Sequence, residues 1–208
     1  MLDASATIAQ FLDEAAARKP APGGGAVSAL AGALGASMGE MVLNYSIGKK
    51  DLEQYRPQLE AALRQMTNAR RLLVQLVTED QLAFEAVTAA KKLPAGNPER
   101  AERLAAAVLA AIRVPQAMGA TAVAVLEAVD RVLDFVNPYL LSDLAVCADL
   151  AMATVRCSVY NVRANLPDVP DAADRERIET AVGQTLSNAA VLIQRVSPRI
   201  WARHGRGS

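Results

Sequence analysis

The chain has 208 residues, room for one domain with its own core, and carries 22 basic against 22 acidic side chains for a formal net charge of zero. No basic run in its body supplies the electrostatic footprint of a nucleic-acid binder, so nucleic acid is not an expected partner. Hydrophobic residues make up 52% but aromatics only 4%, mostly Ala, Leu and Val, a mixture that suits closely packed helices rather than sheets and predicts an all-α protein.

The N-terminus holds Asp3, then Asp13 and Glu14, and lacks the basic flank and apolar core of a signal peptide. Thr7 and Gln10 form a capping-box pattern that opens a short amphipathic helix through about Arg18, which Pro20 and Pro22 end. Residues 21 to 39 carry no charge. Their length allows a membrane span, but only Val27, Leu30, Leu34 and Met38 are strongly apolar, so the stretch reads as a buried helix and no membrane is expected. That helix should close near Gly48, where glycine takes a left-handed cap conformation.

Gly25, Gly32 and Gly39 recur every seven residues in it, with Ser28, Gly35 and Ala36 on neighbouring turns. They leave a groove for a second backbone, either within the chain or from a partner subunit. Each interior glycine costs about 1 kcal/mol against alanine, so packing has to compensate. The triplet Gly23, Gly24, Gly25 stands at the helix start, where free N–H groups and the positive dipole end let an anion or a flat polar ligand approach the backbone. Lys49 and Lys50 follow Gly48 and either cap the negative helix end or flank the mouth of an anion site.

A long helix begins near Pro57 and runs to about Lys92, ahead of Pro94 and Gly96. Leu73, Val77, Asp80, Phe84 and Val87 follow the 4-3-4-3 spacing of a buried seam. Asp80 thus occupies a position that should be apolar. Desolvation there raises a carboxyl pKa into a range useful for proton transfer; a buried ion pair or an interhelical hydrogen bond is the structural alternative.

Asn97 and Pro98 start a third long helix, expected to kink at Pro115 and to reach about Val136. Asn137 and Pro138 repeat the device for a helix to about Leu166, with Ser142 and Asp143 in its second turn. Along it Cys147, Thr154, Ser158, Asn161 and Asn165 form one small or polar stripe, lining either a polar pocket or a tight helix contact. Cys147 and Cys157 stand about 15 Å apart on that helix, too far to bridge, which fits a reducing, cytosolic setting. Past a turn from Pro167 to Pro170, a last helix runs from about Asp174 to Arg199 or beyond, and Arg203 to Ser208 read as a frayed tail. Short connections predict antiparallel neighbours in a single-domain bundle, residues 1–208, of about six helices. The sole histidine is His204, and neither Cys-x-x-Cys nor Gly-x-Ser-x-Gly occurs. Zinc, haem and triad mechanisms lack their parts, which leaves proton transfer to Asp, Glu, Lys, Tyr or water.

Taken together, PAPGGGAVSALAGALGASMGEMV, the GKK after it, EDQLAFEAVTAAKKLP, AAIRVPQAM, NPYLLSDLAVCADLA and YNVRANL resemble the cyclodeaminase domain of formiminotransferase-cyclodeaminase and the stand-alone methenyltetrahydrofolate cyclohydrolase. The resemblance runs in family order from about Thr7 to Leu166. It implies an all-helical homodimer acting on a one-carbon unit of tetrahydrofolate, with no cofactor or metal. The cyclohydrolase interconverts 5,10-methenyl- and 10-formyltetrahydrofolate; the cyclodeaminase closes N5-formiminotetrahydrofolate to the methenyl form and releases ammonia.

The resemblance further implies roles for individual residues. Pro22, Gly23, Gly24 and Gly25 fall on a substrate-binding turn, and Asp80 on the acid/base. Asn137 and Ser142 fall on an element that orients the substrate, with Asp143 as a second catalytic carboxylate. Lys49 and Lys50 fall on a Gly-Lys-Lys element, partners for the glutamate tail. Ala26 stands where many members have Ser, and Tyr45 and Ser46 where they have Leu-Thr. The expected activity is the cyclohydrolase, with the cyclodeaminase as the alternative and a folate-binding helical homologue without catalysis as a third reading.

Overall fold

Thr7 opens the first helix as its sequence predicts. Its hydroxyl accepts from the Gln10 N–H, and the Gln10 side chain accepts from the Thr7 N–H at 2.9 Å. The computed structural model describes residues 7–204. Its helices are α1 (Ile8–Ala16), α2 (Gly24–Asn44), α3 (Arg56–Lys92), α4 (Arg100–Val132), α5 (Leu141–Asn165) and α6 (Ala172–His204), and no strand occurs among the described residues.

The spaced glycines of α2 set the packing. A Cβ on Gly32 would stand 3.0 Å from Thr154 and 3.1 Å from Leu73, and one on Gly39 would stand 2.9 Å from the Met66 sulfur and 3.0 Å from Cys147. Higher numbers on α2 therefore meet lower numbers on both α3 and α5, so α2 lies antiparallel between them. The groove is filled within the chain, and the reading in which these glycines form the subunit interface is set aside. Around α2, one apolar core gathers Leu43, Met66, Leu126, Leu133 and Leu144 near its C-terminal end. A second gathers Phe11, Ala29, Leu73, Leu76 and Met118 near its N-terminal end.

Several boundaries differ from expectation. The helix α2 ends at Asn44, not near Gly48, because Ser46 turns the chain. Its buried hydroxyl donates to the Val42 carbonyl at 2.6 Å and accepts the Asn137 N–H at 2.9 Å. Gly48 still takes the left-handed conformation, φ 87°, in the turn beyond. The helix α4 continues past Pro115 as expected but ends at Val132 rather than near Val136. The helix α6 extends through His204, and the guanidinium of Arg203 donates to the carbonyls of Leu133 and Val136; residues 205–208, the rest of the expected tail, lie outside the described residues. Arg199 reinforces that seam with an ion pair to Asp130 at 2.7 Å.

Two helices, α2 and α4, are long and apolar enough to cross a membrane by length and composition alone. In α2 the small residues go to the contacts with α3 and α5, which leaves Val27, Leu34 and Tyr45 exposed, with Ala31, Met38 and Met41 half-buried between them. Those six follow one another at 4-3-4-3-4 spacing and form a single apolar stripe on the outer face.

Candidate functional site

The first turn of α2 forms the floor of a cavity of about 410 Å³. Gly23, Gly24 and Gly25 line it beside Pro20 and Ala21. One wall is the C-terminal part of α3, from Asp80 through Phe84, Val87 and Thr88 to Lys91; the other is the end of α5, with Asn161 and Asn165. The buried seam expected on α3 runs through Leu73 and Val77 and then emerges past the start of α2, so that Asp80, Phe84 and Val87 face the cavity.

Asp80 is fixed by a backbone amide, its Oδ2 accepting from the Ala26 N–H at 2.9 Å. No basic side chain among the described residues pairs with it, so the interhelical hydrogen bond is the alternative that holds and the ion pair is not. Burial pushes its carboxyl above the usual range, and the Ala26 bond offsets part of that rise. Gly25 makes the contact possible, because a Cβ there would lie 1.9 Å from Asp80 Oδ1, far inside any tolerable separation. A glycine at this position is therefore space for the carboxylate as much as for a ligand.

On the opposite wall, Asn161 Nδ2 donates to the Cys157 carbonyl at 2.9 Å, and Asn161 Oδ1 lies 3.5 Å from where a Cβ on Gly24 would stand. Asn165 Nδ2 donates to the carbonyls of Asn161 at 2.9 Å and Ala111 at 3.2 Å, clamping α5 to α4. The polar stripe of α5 thus divides. Its C-terminal asparagines line the cavity, while Thr154, Ser158 and Cys147 are buried in helix contacts. Burial pushes the Cys147 thiol up to about 12, which removes it as a nucleophile.

Pro22 is buried behind the loop, joined to Ala21 by a cis peptide, and lines a neighbouring depression with Glu14 and Lys19. Lys49, Lys50, Asn137, Ser142 and Asp143 line none of this cavity. They lie at the other end of α2, about 30 Å along its axis. There Lys49 Nζ sits 5.8 Å from the centre of the Tyr139 ring. Asn137 is buried; its Oδ1 accepts from the Tyr139 N–H at 3.2 Å and starts the 138–140 turn. Ser142 is exposed and Asp143 half-buried. Within one chain, the residues the resemblance assigns to one site form two separate groups. Reasoning from the sequence also missed Lys91 and Asp168 as lining residues. Continuing the seam by its own 4-3-4 spacing from Asp80 through Phe84 and Val87 reaches Lys91, a signal that was present. No group of three or more His, Cys, Asp or Glu placed to hold a metal occurs among the described residues.

A family model described as formiminotransferase-cyclodeaminase matches residues 7–184. The chain belongs to that family. Among relatives, the methenyltetrahydrofolate cyclohydrolase of Methylorubrum extorquens is 32% identical over 194 residues, 91% of this chain and 93% of the relative. The formimidoyltransferase-cyclodeaminase of Sus scrofa is 32% identical over 91% of this chain, which spans only 36% of that longer protein. The crystal structure of a formiminotetrahydrofolate cyclodeaminase from Thermotoga maritima superposes with a TM-score of 0.88 at 30% identity, covering 95% of this chain and 97% of that one. The family members of similar extent thus include one named for each activity.

Proposed function

We propose that this protein is a folate one-carbon enzyme, a methenyltetrahydrofolate cyclohydrolase in which Asp80 moves the protons. The observation that carries the reading is the Asp80 carboxylate, desolvated yet facing a cavity over a floor without side chains. Water adds to the cationic methenyl carbon between N5 and N10 while Asp80 takes one of its protons. The C–N5 bond of the resulting carbinolamine then breaks, N5 receives a proton, and loss of the hydroxyl proton leaves the N10-formyl group. The sum is methenyl cation plus water to formyl product plus one proton. Only addition, cleavage and proton transfer are involved, so the chemistry calls for no redox carrier.

The likeness to the Thermotoga protein supports the alternative cyclodeaminase chemistry on the same residues. N10 then attacks the carbon of the protonated formimino group, Asp80 relays the N10 proton to the departing nitrogen, and ammonia leaves as the methenyl cation forms. Mixing the protein with 5,10-methenyltetrahydrofolate, and separately with N5-formiminotetrahydrofolate, separates the two. Accelerated loss of the methenyl absorbance supports the first, and its appearance with ammonia supports the second. No change in either mixture overturns both.

We further infer a homodimer in which two copies complete each site. The outer stripe of α2 has Leu34 at its middle, and a twofold axis there lays two α2 helices antiparallel. That pairing carries the Lys49, Tyr139 and Asp143 end of one copy to the Gly24 end of the other, uniting the two groups that one chain keeps apart. Leu34→Arg should yield a folded monomer in light scattering with activity lost; a fully active monomer, or a dimer of unaltered size, overturns the pairing.

A further inference from the structure

The far end of the cavity carries an ion pair with no role in the proton transfers. Lys91 Nζ meets Asp168 Oδ2 at 2.6 Å, linking the last turn of α3 to the 166–168 turn that follows α5. Both side chains line the cavity and both remain partly open to solvent, 48% and 34% exposed. Lys91 is the one basic side chain in the cavity lining among the described residues. Between it and Asp80 the walls set Phe84, Val87, Ala111 and Ala164 beside the polar side chains of Thr88, Asn161 and Asn165. The separation from Asp80 is about 16 Å along α3, three helical turns, which the flexible arm of Lys91 can shorten.

The cavity therefore reads as three zones: a proton-transfer end, a middle of apolar side chains faced by asparagines, and a cation held by a replaceable carboxylate. We propose that Lys91 is the specificity residue for the carboxylate end of the ligand, and that Asp168 occupies its ammonium until that carboxylate arrives. The proposal rests on the folate reading, in which the ligand has a heterocycle, an aromatic middle and a glutamyl carboxylate. It moves the glutamate contact from Lys49 and Lys50, which reach this cavity only in the inferred dimer, to Lys91, which lines it in the chain that supplies Asp80. An exposed ion pair contributes little to folding, so exchanging one carboxylate for another costs the fold little and variants at either position should fold.

The test compares ligands that differ only in the glutamate. Binding of folic acid and of pteroic acid is titrated calorimetrically with the wild type, Lys91→Gln, Asp168→Asn and the neighbouring control Lys92→Gln. The wild type should favour folic acid about tenfold over pteroic acid. Lys91→Gln should abolish that preference, Asp168→Asn should enlarge it severalfold by freeing the lysine, and Lys92→Gln should keep it. A preference that survives in Lys91→Gln, or that falls equally in Lys92→Gln, overturns the proposal, as does failure of both ligands to bind. In parallel, kcat/KM on methenyltetrahydrofolate should fall about tenfold more in Lys91→Gln than kcat/KM on the glutamate-free methenyltetrahydropteroate. If the wild type turns over no folate yet binds folic acid in a Lys91-dependent way, the reaction assignment fails and the carboxylate contact stands.

Discussion

At the scale of single residues, Asp80 and Gly25 define each other. Asp80→Asn should lower turnover by on the order of 10² to 10⁴, the usual contribution of a positioned acid or base. It should do so without unfolding the protein. The folded pKa of Asp80 lies above its unfolded value near 3.9, so its contribution to stability is fully present below that value and is lost as pH rises through the folded pKa. The Asn variant escapes this loss. Its melting temperature at pH 7 to 8 should equal or exceed that of the wild type, and the difference should close as pH falls toward about 4. Gly25→Ala should drive a methyl into the carboxylate, costing about 1 to 3 kcal/mol in stability and on the order of 10² in rate. Placing the same change in an Asp80→Ala background should recover most of the stability, since the two atoms that collide are no longer both present. Additive losses in denaturant titrations would show that Gly25 serves something other than Asp80.

At the scale of elements, Ser46 joins the end of α2 to the start of the 138–140 turn. Ser46→Ala leaves the Asn137 N–H without its acceptor in a buried place and should lower stability by about 1 to 3 kcal/mol, read as a lower urea midpoint at unchanged slope. The same residue shows why helix ends were less legible than helix bodies. The α3 boundaries follow from Pro57 and Pro94 nearly to the residue, and the seam exposed Asp80 as out of place. The end of α2 depends on a hydroxyl reaching across 91 positions of sequence, which no local pattern reveals. The α5 stripe was legible as a polar face but not as a divided one, because only the crossings with α2 and α4 determine which of its members are covered. Lys91 is within reach of the seam spacing, but a lysine near a helix C-terminus also fits as a dipole partner, so spacing alone does not mark it as a lining residue.

At the scale of the whole molecule, matched motifs name residues but not which copy of the chain supplies them. Sequence therefore assembled Asp80 and Asp143 into one site that a single chain does not form. If each site draws Asp80 from one protomer and Asp143 from its partner, a mixture of Asp80→Asn and Asp143→Asn proteins, each nearly inactive alone, should recover about a quarter of wild-type activity after subunit exchange. Half of the dimers are then mixed and half of their sites intact. Recovery no greater than the sum of the two variants would confine the chemistry to single chains.

The bond between Ala26 and Asp80 has a consequence beyond catalysis. Gly23 precedes α2 and offers no side chain to the free amides of its first turn, and the carboxylate of α3 accepts from the third of them. Asp80 is thus the N-cap of a helix to which it does not belong. Each time it takes up a proton, α2 loses the negative charge at its positive end. The bond that steadies the glycine turn is thus strongest while the base is free and weakens when the proton has been taken, although burial makes the charged form the costlier one for the fold as a whole.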